Sequence, residues 1–173
     1  MRYYRFLVLS CISYLLWACS PTFNWRDIPP GRVPLASLFP CKPDQASRVV
    51  RMADRETTIT MLGCEAGGAM FALAYADVKD AASAGAALAQ WRIATLATMR
   101  AQSSSEAPFV IKGAGPWPQS VQVQARGSRA DGSPLAVQLV WFAAGTLVFQ
   151  ALVYADVAKP AESDTFFSGL RFP

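Results

Sequence analysis

Beyond about residue 33 the chain is a succession of short strand-like runs separated by turn-forming residues, interrupted once by an alanine-rich stretch with helical periodicity. Strands that follow one another without intervening helices pair with their neighbours, so this order predicts an antiparallel sheet and not a doubly wound parallel one. Residues 33–39 precede the turn-rich Pro40-Cys-Lys-Pro43, residues 48–52 precede Asp54-Arg55, and residues 57–62 place Thr57, Ile59 and Met61 on one face. With a turn over residues 52–56, Arg48 stands opposite about Thr60 and Asp44 falls near Cys64, which brings Cys41 within reach of Cys64. Gly67-Gly68 makes the next turn. After it, Met70-Phe-Ala-Leu-Ala-Tyr75 alternates small and large side chains, as a strand with a buried face does.

Residues 79–101 switch to helix formers, with Ala82, Ala86, Leu88, Trp91, Thr95, Leu96 and Met99 recurring near the helical period. Residues 102–106 read as a polar loop, and residues 109–112 as an apolar segment before the turn region Gly113-Ala-Gly-Pro-Trp-Pro118. Val121 and Val123 alternate with glutamines, and Ala130-Asp-Gly-Ser-Pro134 is a hairpin signal. Residues 135–142 and 146–154 form the clearest hairpin, turning at Ala143-Ala-Gly145. The ending places Phe166, Phe167 and Leu170 on one side of a short helix. The predicted fold is α+β: an antiparallel sheet with one long helix and one short C-terminal helix packed on one face.

The first residues carry an address. Arg2 and Arg5 precede an uncharged run over residues 6–17. Such a run rises only about 18 Å as a helix against a hydrocarbon core of about 30 Å, so it reads as a cleaved signal and not a permanent span. Leu16-Trp-Ala-Cys-Ser20 then resembles the lipobox of bacterial lipoproteins, with an aliphatic residue at −3 and a small one at −1, although Trp17 stands at −2, where a small or β-branched residue is usual. The resemblance implies cleavage after residue 18, a diacylglycerol on the Cys19 thiol and an acyl chain on its amine, anchoring the chain in a membrane. Ser20 is not the aspartate that marks inner-membrane retention, so the expected place is the periplasmic face of an outer membrane. An ordinary secretory signal is the alternative. The expected layout is a signal over residues 1–18, a lipidated tether over 19–32 and a single α+β domain over 33–173. Within the tether, Phe23, Trp25 and Ile28 are too apolar for a spacer, so residues 23–28 are expected to lie against the domain.

Composition excludes several chemistries. The sequence contains no histidine, which removes Ser/His/Asp and Cys/His nucleophiles and histidine-based metal sites. Loss of Arg2 and Arg5 lowers the formal charge from +4 to about +2, and the remaining charges are scattered, so nucleic-acid binding has no electrostatic footprint. Of four cysteines, Cys11 lies in the leader and Cys19 is the lipidation candidate; Cys41 and Cys64 remain, and an oxidising compartment predicts their disulfide, with two buried thiols as the alternative. Gly113-Ala-Gly115 lacks the spacing and the Lys-Ser/Thr pair of a phosphate loop, and Ser168-Gly169 lacks the preceding glycine of a nucleophile elbow. Glu65, Asp77 and Asp80 lie near strand ends without metal-ligand spacing and read as turn residues. No cofactor or metal is expected.

Several stretches in order resemble small bacterial domains of the PsbP/Mog1-like class: Leu38-Phe-Pro-Cys-Lys-Pro43, Met70-Phe-Ala-Leu-Ala-Tyr75, the helix, Val137-Gln-Leu-Val-Trp-Phe142 through Phe149, and Asp164-Thr-Phe-Phe-Ser-Gly-Leu-Arg-Phe172. The resemblance implies an antiparallel sheet with helices across one face and an assembly or binding role. It carries no catalytic residue. Trp25 beside Arg26, and Trp117 between two prolines, are the candidate interface residues, with partial burial as the plainer account; Trp91 and Trp141 read as core. The leading expectation is a non-catalytic envelope lipoprotein whose domain binds an unidentified periplasmic protein. The second is a small-molecule or lipid carrier that uses space between helix and sheet, where alanine and glycine side chains leave room.

Overall fold

Three tight turns set the register of the sheet, and in each the backbone conformation decides the residue count. The computed structural model describes residues 21–173. Gly67 and Gly68, with φ of 58° and 71°, close strands β4 (Arg55–Ala66) and β5 (Ala69–Asp77) into a two-residue hairpin of the kind whose left-handed residues match strand twist. Gly145, φ 58°, does the same between β8 (Pro134–Ala144) and β9 (Leu147–Ala155). The third turn, between β3 (Asp44–Met52) and β4, uses Ala53 and Asp54 at φ of 49° and 60°, a conformation that L residues adopt at a cost.

That last turn corrects the expected register. It contains two residues, so Met52 pairs with Arg55, Arg48 with Ile59 and Asp44 with Gly63, one position short of the partners Thr60 and Cys64 read from the sequence. Because side chains alternate along a strand, one position moves a residue to the opposite face.

Seven strands form one antiparallel sheet in the order β3-β4-β5-β9-β8-β7-β6, with β6 spanning Gln102–Pro108 and β7 Val121–Ser128. A two-stranded ribbon, β1 (Arg26–Ile28) with β2 (Ser37–Phe39), stands apart from it. A 3-10 turn at Ala81–Ser83, capped by the Asp80 carboxylate, leads into the long helix α1 (Ala84–Thr98), and the short helix α2 is Pro160–Ser168. The fold is α+β, as read. Residues 102–106, expected as a loop, belong to edge strand β6, whereas residues 109–112 are not a strand. Of residues 33–39 only Ser37–Phe39 are strand. The long helix is shorter than the expected residues 79–101, and its buried stripe is Ala84, Gly85, Ala87, Leu88 and Trp91, while Ala82 and Ala86 are exposed.

The two helices, expected on one face, lie on opposite faces. Helix α1 packs with Val123, Leu139, Trp141, Ala143 and Val148. Helix α2 packs with the alternate residues Val140, Phe142, Phe149 and Ala151, which point the other way. The physical reason stands in β8, where residues 135–143 are buried with the single exception of Ala136: a strand buried on both alternating sides, apolar apart from Gln138, needs a layer on each.

The α2 face is aromatic. Phe166 meets Phe39 and Phe71 at centroid distances of 5.0 and 5.6 Å, and Phe142 stacks on Phe149 at 4.9 Å. Residues 23–28 extend this layer: Trp25 and Phe23 stand edge-on to Phe71 at 6.0 and 6.4 Å, and Arg171 donates to Asp27 at 2.6 Å. The Cys41–Cys64 disulfide forms, fastening the segment after the ribbon to β4.

Candidate functional site

Helix α1 does not cover its whole side of the sheet. Its buried N-terminal half sits over β8 and its neighbours, and its C-terminal half borders the flank made by β3, β4 and β5. A groove of about 480 Å³ runs between them. From Gln90 to Met99 the helix lines it for about 13 Å at 1.5 Å rise per residue.

The space follows from the side chains. Along β5 the alternation read in the sequence sorts by face: Phe71, Leu73 and Tyr75 point to the α2 layer, while Ala72 and Ala74 point under α1 and form the groove floor. Ala94 faces them from the helix. Three methyl groups where larger side chains would meet leave the volume open. Ile59, Met61, Val50 and Leu152 complete an apolar wall, and Met61 keeps 46% of its surface exposed, although it shares a face with the buried Ile59.

The polar residues along the groove are already engaged within the protein. Gln150 Nε2 donates to Thr95 Oγ1 at 3.2 Å, Thr98 Oγ1 donates to the Ala94 carbonyl at 2.8 Å, and Gln90 Oε1 accepts the Ala53 amide at 3.0 Å. The charged side chain on the groove face is Arg48; Arg51, in register with Glu56, projects from the opposite face, and no carboxylate lines the groove. Arg48 stands on the groove side because the two-residue turn pairs it with Ile59. Among the described residues neither guanidinium has an ion-pair or hydrogen-bond partner.

A smaller depression of about 340 Å³ lies near α2, between Phe109, Lys112, Asp164 and Phe167. It carries one charge of each sign.

Of the carboxylates weighed as chemistry, Asp77 and Asp80 serve turns, whereas Glu65, read as a turn residue, lies within strand β4 opposite Met70. Asp77 is held below the ordinary carboxylate range by the Lys79 ammonium, which donates to it at 2.7 Å, with help from the Lys79 amide and Thr146. Asp80 is lowered by the Ser83 hydroxyl and the Ala82 amide as it caps the 3-10 turn, and Asp131 by the Ser133 amide and hydroxyl in the β7–β8 turn. Among the described residues no three His, Cys, Asp or Glu side chains gather as a metal would require, and no helix is long and apolar enough to cross a membrane.

Cys19 and the signal expected over residues 1–18 lie outside the described residues. Trp25 is half-buried against Phe71, and Arg26 donates from Nε to the Asn24 carbonyl at 3.4 Å. Trp117 is half-buried near Gly85 at the start of α1. The sheet separates Trp25 from Trp117, so the two do not form one surface. The sequence located the space between helix and sheet in general terms. Arg48 and Met61 as groove residues were beyond it, and the two-residue turn that orients Arg48 has no glycine to signal it.

No protein-family model and no curated protein matches the chain. A solved structure of a protein of unknown function from Pseudomonas aeruginosa aligns with a TM-score of 0.40 at 15% identity, over 68% of this chain and 86% of that one. No functional argument follows from a likeness of that size.

Proposed function

We propose that the chain is a non-catalytic envelope lipoprotein, anchored through Cys19, whose folded domain binds an apolar small molecule or lipid in the groove between α1 and β3–β5. The observation that carries the reading is the groove itself, about 480 Å³ with an alanine floor, within the size range of ligand sites. A binding role also accords with the missing histidine, since the commonest general base and nucleophile partner is not encoded. Nile red titrated into the purified protein is the test. It binds at one site with a blue-shifted emission, and Ala74→Trp, which fills the floor, weakens binding at least tenfold while the protein keeps its circular dichroism. Equal binding by both proteins contradicts the reading. Metabolic palmitate labelling tests the anchor: label appears on the native chain and is lost in Cys19→Ala, and an unlabelled native chain refutes it.

One observation favours protein binding as a second reading. Strand β3 is an open sheet edge nine residues long, with Val49 63% exposed, and such an edge accepts an added strand from a periplasmic partner. A photo-crosslinker at Val49 captures a discrete protein in intact cells if this reading holds, and captures nothing if it does not.

A further inference from the structure

We infer that the ligand of the groove is a single-chain amphiphile with a carboxylate head, its hydrocarbon tail over Ala72 and Ala74 and its carboxylate at Arg48. This rests on the binding reading above and specifies the ligand class.

Two properties of the groove select the class. The first is what the walls lack. Thr95, Thr98 and Gln150 hydrogen-bond within the protein and Gln90 Oε1 accepts the Ala53 amide, so the walls offer an incoming molecule mostly apolar surface. A peptide laid there brings an amide and a carbonyl at every residue, and buried backbone groups without partners are costly. A hydrocarbon chain brings no such groups. The length lined by the helix, about 13 Å, suits an elongated body.

The second is the charge at the rim. The charged side chain on the groove face is Arg48, no carboxylate lines the groove to neutralise it, and among the described residues it has no ion-pair or hydrogen-bond partner. Arg51, in register with Glu56, projects from the opposite face. A guanidinium presents a planar fork that matches a carboxylate with two parallel hydrogen bonds. An apolar trough ending at an unpaired arginine is complementary to a molecule with one greasy end and one anionic end. The small floor residues on one strand and Arg48 on another meet only because the Ala53-Asp54 turn fixes the register.

The experiment compares dodecanoate with dodecanol as competitors of Nile red at neutral pH, using the native protein, Arg48→Gln and Ala74→Trp. Dodecanoate binds the native protein roughly tenfold more tightly than dodecanol, the span expected of a charge-assisted hydrogen bond. Its affinity for Arg48→Gln falls to the level of dodecanol on the native protein, and Ala74→Trp weakens both ligands. Equal native affinities for the two ligands overturn the carboxylate assignment and leave the groove reading standing. Failure of both ligands to compete, with Nile red indifferent to Ala74→Trp, overturns the groove reading and this inference with it. Dodecyl phosphate binding more tightly than dodecanoate replaces the carboxylate by a phosphate head. An acidic apolar peptide that outcompetes dodecanoate replaces the lipid by a peptide partner.

Discussion

The two faces of the central sheet solve the same packing problem with different side chains. Under α2 and the ribbon, Phe39, Phe71, Phe142, Phe149 and Phe166 are all fully buried and interlock. Under α1 the facing residues at the β3–β5 flank are Ala72, Ala74 and Ala94, and a groove remains. Strand β5 supplies both surfaces, large side chains to one and methyl groups to the other. One period-two pattern thus encodes a filled layer on one face and an open groove at the flank of the other.

The strongest challenge to that contrast is Phe166→Ala. Its ring fills the filled layer at 0% exposure, so its loss costs about 3–5 kcal/mol in urea unfolding. A cost below about 1 kcal/mol removes the aromatic layer from the account. Next comes the disulfide: Cys41→Ser with Cys64→Ser lengthens the freedom of a 23-residue separation and costs about 3 kcal/mol. Calorimetry of the two proteins checks it.

A paired substitution addresses the comparison itself. Ala151→Leu, on the aromatic side at 0% exposure, overpacks and costs about 1–3 kcal/mol. Ala74→Leu extends into the groove and costs less than about 1 kcal/mol, while it weakens Nile red binding. Equal costs at the two alanines would make the faces equivalent. Smaller again is Arg100→Gly. Arg100 sits at φ 46° just past α1, where its amide donates to the Ala97 carbonyl and that of Ala101 to Leu96, a helix-ending motif that favours glycine. Thermal melts show a gain of about 0.5 kcal/mol.

The smallest effect is on pH. Asp77, Asp80 and Asp131 all have folded pKa values below their unfolded ones, so each contributes stability above the ordinary carboxylate range and loses it as pH falls through the folded value. With no histidine in the chain, stability is flat between about pH 5 and 8 and declines below about 4. A transition near pH 6.5 contradicts this assignment.

The sequence was legible where local chemistry decides structure. Gly67-Gly68 and Gly145 announced their hairpins, Cys41 and Cys64 their bond, and the Phe166, Phe167 and Leu170 stripe its buried side. It was opaque where tertiary context decides. Strand β6 is an outer edge, so its polar Gln102-Ser-Ser-Ser105 start shows no apolar alternation, and only pairing with β7 makes it a strand. The Ala53-Asp54 turn adopts left-handed angles with residues that do not advertise them, and the one-residue error this produced hid Arg48 from the groove. The opposite placement of the helices was written in residues 139–144 of β8, an unbroken apolar run that asks for cover on both sides.

Methyl-resolved NMR tests the central claim most directly, with dodecanoate titrated into protein labelled at alanine and methionine methyls. The account predicts saturable shifts at Met61, Ala72, Ala74 and Ala94, with Ala151 and Ala155 on the aromatic side unmoved. Shifts confined to Ala151 and Ala155, or no saturable shift at any methyl, would contradict it.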